Sequence, residues 1–117
     1  MQTEELQQLI ANTLDDMKAS NVIKLDVRHL TSITDMMIFA SGTSTRQVKA
    51  IAQKLDELDK HGAEIIGIEG MEEAQWVLMD FADVVVHIMH PETREYYQLE
   101  KLWSVERTQD EDRSMSS

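Results

Sequence analysis

Trp76-Val77-Leu78-Met79-Asp80-Phe81, followed by Ala82-Asp83 and then Val84-Val85-Val86-His87-Ile88-Met89, decides the class of fold. The first six residues alternate, with Trp76, Leu78 and Asp80 on one face and Val77, Met79 and Phe81 on the other. Period-two alternation is the mark of a strand whose two faces differ. Ala82-Asp83 makes a two-residue connection, and Val84–Met89 is largely apolar, as a strand interior to a sheet is. The chain is therefore organised around a sheet.

Working outward, Ile65, Ile66 and Ile68 make a strand before this pair, and Glu69-Gly70 begins the turn between them. Further back, Val48, Ile51, Ala52, Leu55 and Leu58 recur at helical spacing, which predicts a helix over 45–61. Gly62 supplies the left-handed residue that commonly ends a helix. Met36–Ala40 is a short apolar run, as in a strand covered on both faces. Val22–Arg28 alternates, with Ile23, Leu25 and Val27 pointing one way, and reads as a half-buried strand. At the start, Thr3 is positioned to cap a helix carrying Glu4 and Glu5 in its first turn. Leu6, Leu9, Ile10, Leu14 and Met17 form that helix's apolar stripe, and Asn21 ends it. After Met89, Pro91 opens a last helix running to about Trp103, with Tyr96, Leu99 and Trp103 on one side. The order is α-β-β-α-β-β-β-α. It predicts an α/β fold of mixed α+β type, with a five-stranded mixed sheet flanked by helices. Residues 1–104 form one domain, and the polar, aperiodic residues 105–117 are expected to be a disordered tail.

Composition narrows the function. The 117 residues hold no Cys, which excludes disulfides, thiol catalysis and Cys-type zinc sites. No apolar run nears the roughly 20 residues of a membrane span, and Glu4 and Glu5 stand where a leader would be basic. A cytoplasmic location is the expectation. Net charge is −11, with basic residues scattered singly, so no cluster is available to follow a phosphate backbone. Direct nucleic-acid binding is not expected as the main contact. Between Gly62 and Ser104 nine acids (Glu64, Glu69, Glu72, Glu73, Asp80, Asp83, Glu92, Glu95, Glu100) face only Arg94 and Lys101. The plainer reading of such an imbalance is solubility, which composition alone favours; the sharper one is a face that attracts a basic protein by long-range steering.

Catalytic constellations are weak. Ser41-Gly42-Thr43-Ser44 before a helix has the look of a phosphate cradle, but it lacks a Walker Lys and Gly-x-Gly-x-x-Gly spacing. An ordinary turn with Thr43 or Ser44 as helix cap explains it as well. His87 and His90 lie three apart, so on a strand they point to opposite faces, and neither Cys nor a second His pair completes a metal site. His87 reads as a core or edge histidine and His90 as a helix cap. Asp80 and Asp83 flank a tight connection, where turn-forming Asp needs no catalytic reason. Trp76 opens a strand beside an acidic loop, while Tyr96 and Tyr97 are adjacent on a helix and cannot both face one core. If Tyr96 packs inward with Leu99, Tyr97 and Glu100 lie nearer the surface. Exposed Trp and Tyr beside acids resemble a protein-binding hot spot, against the plainer reading that the rings cap the core.

An ordered set of blocks then resembles one family. Ser32-Ile33-Thr34-Asp35, Gly42-Thr43-Ser44-Thr45-Arg46-Gln47-Val48, Gly67-Ile68-Glu69-Gly70, Trp76 to Asp80, Asp83 to Met89, and Tyr97-Gln98-Leu99-Glu100-Lys101-Leu102-Trp103 are similar to successive motifs of the RsfS/Iojap ribosomal silencing factors. They run in the right order from about Val22 to Ser104, and it is the set that is specific. The resemblance implies a nucleotidyltransferase-like fold that serves binding and needs no cofactor. It further implies docking on the large ribosomal subunit through ribosomal protein number fourteen (uL-fourteen), which blocks subunit joining and lowers translation when nutrients are scarce. By motif register the contact residues are Trp76, Asp80, Tyr97, Glu100 and Leu102. The first two share a strand face and the rest the last helix, so one composite patch is expected. Self-association as a homodimer is also implied. The alternative reading is a nucleotidyltransferase-like enzyme acting on RNA or protein, but the only Asp-x-Asp pair, Asp110 and Asp112, falls in the predicted tail.

Overall fold

A computed structural model describes residues 1–99 and 101. Its elements are α1 (Thr3–Asp16), β1 (Ser20–Asp26), β2 (Met36–Ser41), α2 (Thr45–Asp56) with a 3-10 turn (Glu57–His61), β3 (Gly67–Glu69), β4 (Trp76–Asp80), β5 (Val84–Met89) and α3 (Pro91–Tyr97). The five strands form one mixed sheet in the order β1-β2-β5-β4-β3. β2 and β5 run parallel at its centre, and every other pair is antiparallel.

Alternation along the strands sorts two unequal faces. Ile38 and Ala40 of β2, Val77 and Met79 of β4, and Val84, Val86 and Ile88 of β5 point to one side. There they bury against Leu6, Ile10 and Leu14 of α1 and Val48, Ile51, Ala52 and Leu55 of α2. This is the main core. Emptying one of its fully buried positions, such as Leu14→Ala, would cost about 2–5 kcal/mol. The opposite face carries Phe39, Val85, His87 and Met89, all buried, with Trp76, Leu78 and Asp80 half-buried beside them. α3 crosses one end of that second face.

Local chemistry sets the element ends, and several differ from the sequence reading. Thr3 does not cap α1: Gln2 is the N-cap, and the Thr3 hydroxyl donates to Asp83 Oδ2 at 3.3 Å. α1 stops at Asp16 because Lys18 turns left-handed at φ 58°, five residues before the position where Asn21 would have ended it. β1 is an edge strand with a register shift between Ser20 and Ile23, so Val22 and Ile23 remain exposed where half-burial was expected. β3 is only three residues long, and Ile66 stands exposed before it. β5 spans the predicted residues, and the predicted second helix is met by α2 plus its 3-10 turn, ended by Gly62 at φ 96°. The last helix is interrupted at Gln98, and Leu99 and Lys101 are helical again beyond the break. Gln98 takes φ 51° and closes α3 at Tyr97. Glu100, Leu102 and the predicted tail (105–117) lie outside the described residues.

The segment once resembling a phosphate cradle is internally occupied. The Ser44 hydroxyl accepts from Gln47 N at 3.1 Å, which makes Ser44 the cap of α2. Gln47 Oε1 in turn accepts from both the backbone N–H and the hydroxyl of Thr43. Gln47 Nε2 reaches across to Met17 O at 3.3 Å, which ties α2 to the end of α1. The backbone N–H groups of Thr43 and Gln47, two of the donors that would greet an anion, are thus committed within the cap.

Candidate protein-docking surface

Trp76 starts β4 because Gly70 lets the preceding turn close. At φ +85° Gly70 occupies a left-handed conformation, and a Cβ there would stand 2.1 Å from Trp76 O. Ala74 N donates to Gly70 O at 2.9 Å and completes the turn. The indole is half-buried, and its Nε1–H points inward, donating to His87 Nδ1 at 3.0 Å. Trp76 pairs with Met89 and Leu78 with His87 across the ladder, so Trp76 and His87 are diagonal neighbours on one face.

His87 is 5% exposed and stacks on Phe39, with ring centroids 4.7 Å apart and planes 9° from parallel. Since the indole nitrogen can only donate, Nδ1 is the acceptor and the imidazole proton sits on Nε2. That Nε2–H is buried and meets no acceptor among the described residues. An orphan of this kind costs about 1–3 kcal/mol. Burial also pushes the His87 imidazole down to about 4, so the ring is neutral at physiological pH.

From the other side Tyr97 meets Trp76 with centroids 5.2 Å apart, and Tyr96 meets Tyr97 edge-on at 5.0 Å. Phe39, His87, Trp76, Tyr97 and Tyr96 thereby form a continuous row of rings from the interior to solvent. Tyr96 is 81% exposed and Tyr97 53%, so the inward packing of Tyr96 does not occur. Both rings sit on the outer side, and Tyr97 is the one that touches Trp76.

α3 is held so that Tyr97 can do this. His90 Nδ1 accepts from Glu92 N at 3.3 Å and caps the helix, the role expected for it. His90 N donates to Gln75 O at 2.9 Å, and the Thr93 hydroxyl donates to Gln75 Oε1 at 3.1 Å. Arg94 is buried and donates to Ser41 Oγ at 2.9 Å. Between the Gly70 turn and α3 opens a cleft of about 720 Å³, walled by Glu72, Glu73, Trp76 and Tyr97. With two acids and two aromatic rings in its wall, it suits a basic partner with apolar side-chain stems.

The structure brings Trp76 and Tyr97 together but not Asp80. Asp80 shares the face of Trp76, yet four residues along the strand put it roughly 13 Å away. Its Oδ1 accepts from Ala82 N at 2.8 Å, inside a turn where Ala82 holds φ 70° and Asp83 N donates to Phe81 O at 2.9 Å. Glu100 and Leu102 lie outside the described residues. Sequence reasoning missed His87 as the partner of Trp76 and counted Glu72 and Glu73 only among the acids of the second half. The tight turn at Ala82 fixes the strand register, and that register was the available signal for His87.

Comparison with known proteins then decides the family. The model described as "Ribosomal silencing factor during starvation", RsfS, matches residues 1–117. The chain belongs to the RsfS family. Among its relatives, the ribosomal silencing factor RsfS of Chromobacterium violaceum is 45% identical over 104 residues, covering 88% of this chain and 85% of that protein. The RsfS of Haemophilus influenzae is 46% identical over 100 residues, covering 85% and 98%. A crystal structure of a Chromobacterium violaceum protein superposes with a TM-score of 0.86 at 45% identity, over 89% of this chain and 88% of the other. RsfS membership makes the chain a ribosome-associated regulator of translation. Among the described residues, no helix of this RsfS-family chain is long and apolar enough to cross a membrane.

Proposed function

We propose that the protein docks on the large ribosomal subunit through ribosomal protein uL-fourteen and thereby blocks association with the small subunit. The observation that carries the reading is the contact of Trp76 with Tyr97 at the wall of a cleft lined by Glu72 and Glu73. Aromatic rings partly open to solvent are the residue types that dominate binding energy when a partner covers them. Flanking carboxylates complement a basic ribosomal protein and speed encounter. Glu100 and Leu102 extend the docking set by motif register, and Asp80 adds charge at the far end of the same face. The protein acts by occupancy and not by catalysis, a reading supported by the committed donors at Thr43 and Gln47. Self-association through the same rings would compete with the ribosome.

Co-sedimentation tests the docking step. Purified protein should pellet with isolated large subunits and not with small ones, and free uL-fourteen should compete for it. Equal pelleting with both subunits, or indifference to the competitor, would count against this site.

A further inference from the structure

We propose that His87 is a positioning residue for docking, which holds the Trp76 indole in the orientation the ribosome meets. The inference rests on the docking reading of Trp76 above.

Four observations converge on it. The Trp76 Nε1–H donates to His87 Nδ1 at 3.0 Å, so the only polar atom of the indole is turned into the protein. The imidazole cannot swing away, because it stacks on Phe39, itself fully buried, at 4.7 Å and 9°. Its second nitrogen gains nothing among the described residues, so the Trp76 bond is the imidazole's one hydrogen bond there. Every neighbour of His87 in its strand, from Val84 to Met89, is apolar. An apolar residue in its place would fill the same site with no orphaned nitrogen, so packing alone does not account for a histidine.

What the histidine adds is direction. A half-buried indole without an internal acceptor would turn its N–H to water and swing through other rotamers. Anchoring through Nδ1 fixes the ring plane against Tyr97, 5.2 Å away, and shapes the wall of the acidic cleft. Preorganised side chains bind more tightly because less rotamer freedom is lost on docking.

The test uses the full chain with Trp103→Phe, which leaves Trp76 as the only indole. Hydrogen exchange of the indole N–H by NMR reads the bond, and co-sedimentation with large subunits at graded concentrations reads docking. His87→Phe keeps a flat ring on Phe39 and removes the acceptor. It should free the indole proton to exchange and weaken docking about five-fold, the worth of one ordinary hydrogen bond. His87→Asn, which keeps an acceptor at the δ position, should restore much of the protection and most of the docking. Trp76→Phe removes the donor and should weaken docking at least as much, and adding His87→Phe to it should then cost nothing more. Should His87→Phe fail to fold, the Asn and Trp76→Phe arms carry the test. An indole proton still protected in His87→Phe overturns the role of His87. Equal losses from His87→Phe with and without the indole overturn it too, by showing that the effect does not pass through Trp76. A freed indole with unchanged docking overturns the positioning role of His87, whereas unchanged docking in Trp76→Phe overturns the use of Trp76 in docking, which is the earlier reading.

Discussion

The indole N–H of Trp76 and the Nδ1 of His87 lie 3.0 Å apart on the less covered face of the sheet. One hydrogen bond thus links the ring at the cleft wall to a ring in the interior. Trp76 is consequently not a loose surface aromatic, and its replacement has two costs. Trp76→Ala should weaken docking, and it should also lower stability by about 2 kcal/mol, from lost burial and the broken bond. Urea unfolding separates the two effects, with Trp76→Phe losing less stability than Trp76→Ala.

Acid should destabilise the protein through His87. Its ordinary value is 6.5, and burial lowers it to about 4 in the fold. Above 6.5 the imidazole is neutral folded or unfolded, and the contribution is complete. As pH falls from 6.5 to 4 only the unfolded chain takes the proton, so stability drops by about 1.4 kcal/mol per unit, or about 3 kcal/mol in all. Denaturation midpoints measured across that window should fall in the native protein and much less in His87→Phe. A flat profile in the native protein would contradict the burial of a neutral ring.

Gly70→Ala should damage the site without touching it. The new Cβ would press on Trp76 O, and the residue would have to keep φ +85°. Loss of about 2 kcal/mol or more is expected, together with a changed Trp76 fluorescence. Gly67→Ala is the control, since a Cβ there meets nothing within 4 Å.

Asp80 has a turn to hold, which changes what its variants report. Asp80→Ala removes the acceptor for Ala82 N and should cost about 1 kcal/mol of stability. Ala82→Gly relieves the left-handed φ of 70° and should return about 1 kcal/mol. Thermal melts of both variants and the pair check this. A large docking defect in Asp80→Ala with unchanged stability would instead place its carboxylate in the interface.

Much of this was legible in the sequence, for reasons particular residues make clear. Val84–Met89 could only be an interior strand, and the spacing of Val48, Ile51, Ala52 and Leu55 could only bury as a helix face. The end of α3 was not legible. Nothing in a Tyr-Tyr-Gln-Leu run announces that Gln98, a residue with a Cβ, will adopt φ 51°. The single amphipathic helix drawn through Trp103 therefore put Tyr96 inward, whereas the shorter α3 turns both tyrosines outward. Edge position is also invisible to local pattern. Val22–Arg28 alternates like a half-buried strand, yet among the described residues no further strand covers β1, and Ile23 stays exposed. Asp80 shows the limit of face arithmetic: sharing a face with Trp76 did not bring the two together.

The central claim is that the Trp76–Tyr97 surface blocks joining of the ribosomal subunits. The most direct measurement is light scattering of purified large and small subunits mixed with increasing protein. Native protein should suppress the signal of joined ribosomes, saturably, and sucrose gradients should show the protein on the large subunit. Trp76→Ala and Tyr97→Ala should each need at least about 30-fold more protein, the equivalent of about 2 kcal/mol at an interface hot spot. Asp15→Ala and Asp56→Ala, on outer helix faces, should behave as native. Unchanged joining at saturating native protein would contradict the account, as would full activity in folded Trp76→Ala and Tyr97→Ala.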